Sequence, residues 1–263
     1  MNARRRALVT GASQRLGRAM ALDLAGSGWD VAIHYNGSRD AAEATAAEAR
    51  ELGAAAATLQ GDLADEAAVD ALVPAAADAL GGPLSALINN ASMFRNDEIG
   101  SITPQSWDNG MDSNLRAPVM LTQAFAEQAP RARMDANGEP VAQAVVINII
   151  DQRVLKPTPF FTSYLMAKSG LLAFTRSAAQ ALAPHVRVGG IGPGPTLVAT
   201  NQSDEHFAMQ REACILGRGS DPEDIVSAMR FILSNKAFTG QMLAIDGGQH
   251  LIWQTPDVQG MDE

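Results

Sequence analysis

The sequence predicts an α/β fold, a doubly wound parallel sheet of about seven strands, and three observations predict it. Short apolar runs alternate along the whole chain with longer alanine-rich amphipathic stretches, the pattern of repeated βαβ units around a buried sheet. Hydrophobic residues make up 46% and charged residues 19%, a globular balance far from that of a disordered chain. The 263 residues are enough for one large core, so a single domain over 1–263 is expected.

The first strand is expected at Ala7–Thr10. It runs into Thr10-Gly11-Ala12-Ser13-Gln14-Arg15-Leu16-Gly17, a tight turn before a helix at about Leu16–Ser27. Backbone amides of such a turn, with Gly11, Arg15, Leu16 and Gly17 around them, can hold a pyrophosphate at the helix amino terminus. The alternative is a strand-to-helix turn without a ligand. The second strand, Val31–His34, ends in His34-Tyr35-Asn36-Gly37-Ser38-Arg39. A site selective for NAD usually has a carboxylate here, whereas Ser38 and Arg39 offer a hydroxyl and a cation suited to a 2'-phosphate. NADPH is therefore the expected cofactor, with His34 and Tyr35 beside it; Arg39 could otherwise be a solvated charge at a helix start.

A helix at Asp40–Leu52 leads to the third strand, Ala56–Gln60, and then to Asp62 and Leu63. A helix at Glu66–Leu80 leads to the fourth strand, Ala86–Asn89, and then to Asn89-Asn90-Ala91. Both strand ends face the same crevice in a doubly wound sheet. Asp62 either touches the cofactor or caps the next helix, and Asn89 either touches it or satisfies turn amides. A long helix is expected at Pro104–Ala129. Asp135, Asn137, Gly138 and Pro140 then mark 131–140 as a surface loop, before the fifth strand at Val145–Ile150.

The helix Ser163–Leu182 holds Tyr164 and Lys168, four residues apart and so on one face. The chain has only two tyrosines and three lysines, which makes this pairing informative. A phenol with an ordinary pKa of about 10 exchanges protons more readily when a cation favours its phenolate. Lys168 is expected to supply that cation and Tyr164 the proton. The remaining elements are a strand at Val186–Ile191, a helix at Pro222–Leu233 and a strand at Met242–Ile245. The stretch 192–219 is too long for an ordinary connection and follows a strand carboxyl end, so it reads as a substrate lid.

Several function classes are excluded. A net charge of −9 argues against nucleic-acid binding. No run of eighteen apolar residues is present, so no membrane span is expected. Cys214 is the single cysteine, and His34, His185, His206 and His250 are too scattered to spell a metal site. Arg4, Arg5 and Arg6 precede too short an apolar stretch for a signal peptide, so a soluble cytoplasmic protein is expected. The Asn-x-Ser sequons at Asn36, Asn90 and Asn201 would matter only in a secreted chain.

In their order, the glycine turn, Asn89-Asn90-Ala91, Asn114, Tyr164-x-x-x-Lys168, Pro193-Gly194 and Asp246-Gly247-Gly248 resemble the short-chain dehydrogenase/reductase family over nearly the whole chain. The resemblance implies a Rossmann-like subunit and metal-free hydride transfer. It also implies that a proton relay joins Asn114, Tyr164 and Lys168, that Pro193 and Gly194 line the nicotinamide, and that the protein is a homotetramer. Asp151 stands thirteen residues before Tyr164, where serine is usual, and Arg15 replaces the middle glycine of the turn. Both departures resemble the pteridine reductase branch, as does Asn90-Ala91-Ser92-Met93-Phe94, in which an aromatic stacks on the pterin. A carboxylate at Asp151 and a guanidinium at Arg15 suit the ring nitrogens and amide-like edge of a pterin, and Phe94 supplies a flat wall. Asp151 could otherwise be an N-cap or loop carboxylate, Arg15 a partner of the cofactor phosphate alone, and Phe94 a core residue. The competing functions are a general carbonyl or ketoacyl reductase and, from another class, a silent cofactor-binding redox sensor or scaffold.

Overall fold

The computed structural model describes residues 4–199 and 202–255, so the sequon at Asn201 and part of the expected lid lie outside the described residues. Strands β1 (Arg5–Val9), β2 (Trp29–Tyr35), β3 (Ala56–Gln60) and β4 (Ala86–Asn89) alternate with helices α1 (Arg15–Gly26), α2 (Arg39–Glu51) and α3 (Glu66–Ala79). Helices α4 (Pro104–Met111) and α5 (Ala117–Gln128) follow, then the short strands β5 (Arg133–Met134) and β6 (Pro140–Val141). The chain continues through β7 (Ala144–Ile149), α6 (Thr162–Leu182), β8 (Val186–Pro193), α7 (Asp204–Glu212), α8 (Pro222–Ser234) and β9 (Met242–Ile245).

Seven strands form one sheet in the order β3-β2-β1-β4-β7-β8-β9, with every neighbouring pair parallel. The expected doubly wound sheet is therefore present. All seven residues of β2 and all six of β7 are buried, as strands covered on both faces require. Period-two alternation divides the core: Ala7 and Val9 pack with Met20 and Leu24 of α1 and Met229 of α8, whereas Leu8 packs with Leu72 of α3 and Phe125 of α5. Winding runs outward from β1 to β3 and then crosses to β4 on the other side of β1, which opens a crevice at the strand carboxyl ends.

Beneath that crevice a ladder of buried amides and hydroxyls ties β4 to β7 and both to the helices below. Asn89 Nδ2 donates to Asn148 Oδ1 at 2.9 Å and Asn148 Nδ2 donates to Thr175 Oγ1 at 2.9 Å. Thr122 accepts from Asn89 at 3.4 Å, and Asn89 Oδ1 has no partner among the described residues.

Three expectations need correction. The helix expected at Pro104–Ala129 is broken by a π-helical turn at Asp112–Arg116, which apolar periodicity does not register because the apolar face continues through it. The loop at 131–140 contains an antiparallel ribbon, Arg133 and Met134 against Val141 and Pro140. The stretch 192–219 is not wholly irregular: β8 extends to Pro193, and α7, capped by Ser203 accepting from the His206 amide at 3.2 Å, lies within it. No helix of the described residues is long and apolar enough to cross a membrane.

Candidate active site

The turn after β1 is locked by close backbone packing. A Cβ on Gly17 would meet Gly11 O at 2.2 Å and Asn90 Nδ2 at 2.6 Å, and one on Gly11, whose φ is +61°, would meet Ala91 Cα at 2.9 Å. Only glycine allows these approaches. Thr10 Oγ1 accepts from the amides of Asn90 at 2.9 Å and Ala91 at 3.0 Å, which joins the two turns across the sheet switch point. Arg15, a non-glycine residue at φ 56°, sends its guanidinium over the crevice to Val198 O at 2.8 Å.

At the end of β2 the structure turns both aromatic side chains inward, in place of the cofactor contacts expected of them. His34 Nδ1 accepts from the Gly11 amide at 3.1 Å, so Nε2 carries the proton and donates to Gly61 O at 3.0 Å. Burial lowers its pKa, and the neutral ring is a brace between β1 and β3. Tyr35 is a core residue. Only the backbone of this pair remains available beside Ser38 and Arg39, which are exposed. The Ser38 hydroxyl makes no cap bond, and Arg39 has no carboxylate partner among the described residues. Asp62 is exposed and accepts from the Ala64 amide at 3.0 Å, while Leu63 is buried. Asn89 belongs to the ladder below and does not reach the crevice. Pro193 ends β8, and Gly194 lies so close to β9 that a Cβ would meet Asp246 Cβ at 2.5 Å.

Tyr164, Lys168 and Asp151 converge on the floor of the crevice. Tyr164 Oη donates to Asp151 Oδ2 at 2.8 Å, and Asp151 Oδ1 accepts from the Arg153 amide at 2.8 Å, capping the short 3-10 turn Gln152–Val154. Asp151 is thus both a cap and a partner of the phenol. Lys168 is buried, donates to Ile149 O at 2.7 Å and stands 5.7 Å from the Tyr164 ring centroid. Burial raises the Asp151 pKa against the pull of the Arg153 amide, Tyr164, Arg153 and Lys168. Burial also raises Tyr164, and Asp151 raises it further. Lys168 is lowered by burial to about 8, with Asp151 opposing.

The phenol pKa is raised rather than depressed: burial and the Asp151 carboxylate outweigh the lowering by Arg153 and Ser92, and Tyr164 is a protonated donor. Asn114, on the π turn, is fully buried; its Nδ2 donates to Met93 O at 2.9 Å, and its Oδ1 accepts from the Met93 amide at 2.9 Å and Ser92 Oγ at 3.0 Å. Ser92 is also near enough to Tyr164 to pull its pKa down.

Phe94 is 44% exposed and faces the crevice. Its ring stacks on Phe161 at 4.4 Å between centroids, and the edge of Tyr164 meets it at 4.8 Å. Phe161 holds φ +60° at the amino cap of α6 and offers no side-chain cap. Asp97 does that work instead. Its Oδ1 accepts from the Ser163 amide at 3.0 Å and its backbone oxygen from the Thr162 amide at 3.1 Å. The loop that presents Phe94 therefore also caps the helix that presents Tyr164. The Arg153 guanidinium lies over Phe161 at 4.8 Å and over Phe94 at 5.9 Å.

Sequence reasoning assigned no role to Ser92, Asp97, Arg153 or Phe161. Ser92 stood inside a motif already singled out, and Arg153 and Phe161 lie within three residues of Asp151 and Tyr164, so a search of those neighbourhoods would have found them. Nothing in the sequence marks Asp97. Among the described residues no group of acidic, histidine and cysteine side chains could hold a metal.

The model of the short chain dehydrogenase family matches residues 5–209. The 3-oxoacyl-[acyl-carrier-protein] reductase FabG of Staphylococcus aureus is 31% identical, with 93% of this chain and 98% of that protein covered. The crystal structure of FolM Alternative dihydrofolate reductase 1 from Brucella canis, complexed with NADP, is 40% identical; it superposes with a TM-score of 0.90 over 98% of each chain. The corresponding protein of Brucella suis, also in complex with NADP, is 41% identical with a TM-score of 0.90, over 98% of this chain and 100% of that one.

Proposed function

The chain belongs to the short-chain dehydrogenase family, and from that premise we propose that it is an NADPH-dependent reductase of a pterin-type substrate, a dihydropterin or dihydrofolate. The hydrogen bond from Tyr164 to Asp151, roofed by the exposed Phe94, carries this reading. A half-buried carboxylate beside a protonated phenol suits a ring with several nitrogens better than a lone carbonyl. The Brucella FolM structures support it, and their NADP supports the cofactor.

When bound, NADPH supplies the hydride. In this proposal Ser38 and Arg39 hold its 2'-phosphate, and the amides at the start of α1 hold its pyrophosphate, with Arg15, Leu16 and Gly17 around them. Pro193, Gly194 and Ala91 line the nicotinamide side, and Asp62 and Leu63 the adenine side. Phe94 and Arg15 position the flat substrate. Tyr164 delivers a proton to the ring nitrogen as the adjacent carbon is reduced, Lys168 stabilises the charge left on the phenol oxygen, and Asp151, which accepts the phenol hydrogen bond, takes a proton from solvent and passes it back to the phenolate to close the cycle. The stretch 192–219 covers the substrate, and the half-exposed Met166 and Trp107 fit a homotetramer built on α4, α5 and α6.

A general ketoacyl reductase is the second reading, supported by the Staphylococcus aureus relative. The two are separated by NADPH oxidation measured against dihydropterins and simple ketones, with NADH as a parallel arm. In the pterin reading Asp151→Ser cuts dihydropterin turnover and spares ketone reduction. A wild type that ignores dihydropterins, together with an Asp151→Ser enzyme that reduces ketones faster, overturns it.

A further inference from the structure

The arginines of this chain differ in whether a carboxylate holds them. Arg18, Arg116, Arg211, Arg218 and Arg230 each hold one. Arg153 makes no ion pair among the described residues, although its charge acts on the nearby Asp151 carboxylate. Its side-chain hydrogen bond is a long one, 3.5 Å from Nη1 to Thr158 Oγ1. Otherwise its guanidinium rests on the Phe161 ring at 4.8 Å. Stacking of that kind uses the flat face of the cation and leaves the N–H groups at its edge free. Those edge donors form the fork that matches a carboxylate.

The position matters as much as the missing partner. One face of Phe94 is stacked on Phe161, so a flat ring laid against Phe94 takes the other face, with the Tyr164 ring 4.8 Å and the Arg153 guanidinium 5.9 Å from the Phe94 centroid. Arg153 is half-buried, so an anion there is better shielded from solvent and salt than on an open surface. Lys156, three residues along, lies near enough to Cys214 to act on it electrostatically. A second cation therefore stands between the 152–161 loop and the end of α7.

We propose that Arg153 is a specificity-determining residue which receives a carboxylate on the substituent of the bound ring, so that the preferred substrate is a pterin with an anionic tail of the pteroylglutamate type. This rests on the pterin reading above and narrows it. A neutral hydroxyalkyl pterin gives the guanidinium nothing to bind beyond what water already offers.

The test is kcat/KM with saturating NADPH for dihydrofolate and for the uncharged dihydrobiopterin, in wild type, Arg153→Gln and Arg153→Lys, at low and high salt. The expected result is a wild-type preference for dihydrofolate that falls about tenfold in Arg153→Gln, as loss of a charge-assisted hydrogen bond implies, and is only partly restored in Arg153→Lys, which keeps the charge but not the stacked fork. Any effect of Arg153 on Asp151 acts on the shared ring chemistry, so it cancels in the ratio of the two substrates. Added salt should raise KM for dihydrofolate and not for dihydrobiopterin; this arm needs only the wild type and holds even if a variant folds poorly. An unchanged ratio in Arg153→Gln, or equal salt dependence for both substrates, overturns the assignment of Arg153 while leaving the pterin reading intact. If neither pterin oxidises NADPH and a ketoacyl thioester does, the pterin reading fails and this proposal fails with it.

Discussion

The two halves of the crevice are built by different means. On the side of β1 to β3, backbone meets backbone: Gly17 against Gly11, Gly11 against Ala91, and a neutral His34 between two strand ends. On the side of Phe94, Arg153 and Phe161, side chains from two separate loops meet one another, and one of them sits in a left-handed conformation. The first half has almost no freedom to adapt, whereas the second can exchange side chains without disturbing the sheet. A cofactor common to many reactions suits the rigid half, and a particular substrate suits the adjustable one.

The largest effect should come from the residue where the halves meet. Tyr164→Phe is expected to lower kcat by about 10²- to 10⁴-fold and to leave NADPH affinity, measured by fluorescence titration, nearly unchanged. A variant that keeps most of its kcat would remove Tyr164 from the chemistry.

The rigid half is probed next, by Gly17→Ala. Its Cβ would lie 2.2 Å from Gly11 O, and overpacking of this kind costs about 1–3 kcal/mol. Both the melting temperature and NADPH affinity should fall. If both hold, the turn is softer than its packing implies.

A pH profile sharpens the comparison through Lys168. Its pKa is lowered to about 8, so the ammonium is present below that pH and lost above it, while Tyr164, with its raised pKa, stays protonated throughout. Without the cation, the negative oxygen left by proton delivery is unsupported. The kcat/KM of reduction should therefore fall about tenfold per pH unit on an alkaline limb governed by Lys168, and Lys168→Arg should move that limb upward. A flat profile across this range would show that Lys168 does not serve the proton transfer.

The smallest effect belongs to the adjustable half. Phe94→Ala removes an exposed stacking wall of about 0.5–1.5 kcal/mol, which is a several-fold rise in KM for a dihydropterin. The melting temperature should barely move. A large fall in stability would make Phe94 a structural residue.

The same division decides what could be read in the sequence. Gly11, Gly17, Ser38 and Arg39 follow their strands at short range, so the alternation of strand and helix already places them. Tyr164 and Lys168 share one turn of one helix and are equally local. His34, Tyr35 and Asn89 are buried because the ends of β2 and β4 are covered on both faces of the sheet, which position along the strand does not reveal. Phe161 lies three residues before Tyr164, but the cap on which its conformation depends comes from Asp97, sixty-six positions before Ser163. The π turn that seats Asn114 inserts extra backbone without interrupting the apolar face.

The ladder of Asn89, Asn148 and Thr175 has a further consequence for assembly of the sheet. Strands buried on both faces, as β4 and β7 are, are apolar at nearly every position, so hydrophobic patterning alone would tolerate a neighbour that slid along by one residue. A slide of that kind would separate Asn89 from Asn148, its directly paired residue, and strand both amides in a dry interior at about 1–3 kcal/mol each. The ladder thus acts as an alignment key, admitting one registration of the central strands and excluding its neighbours.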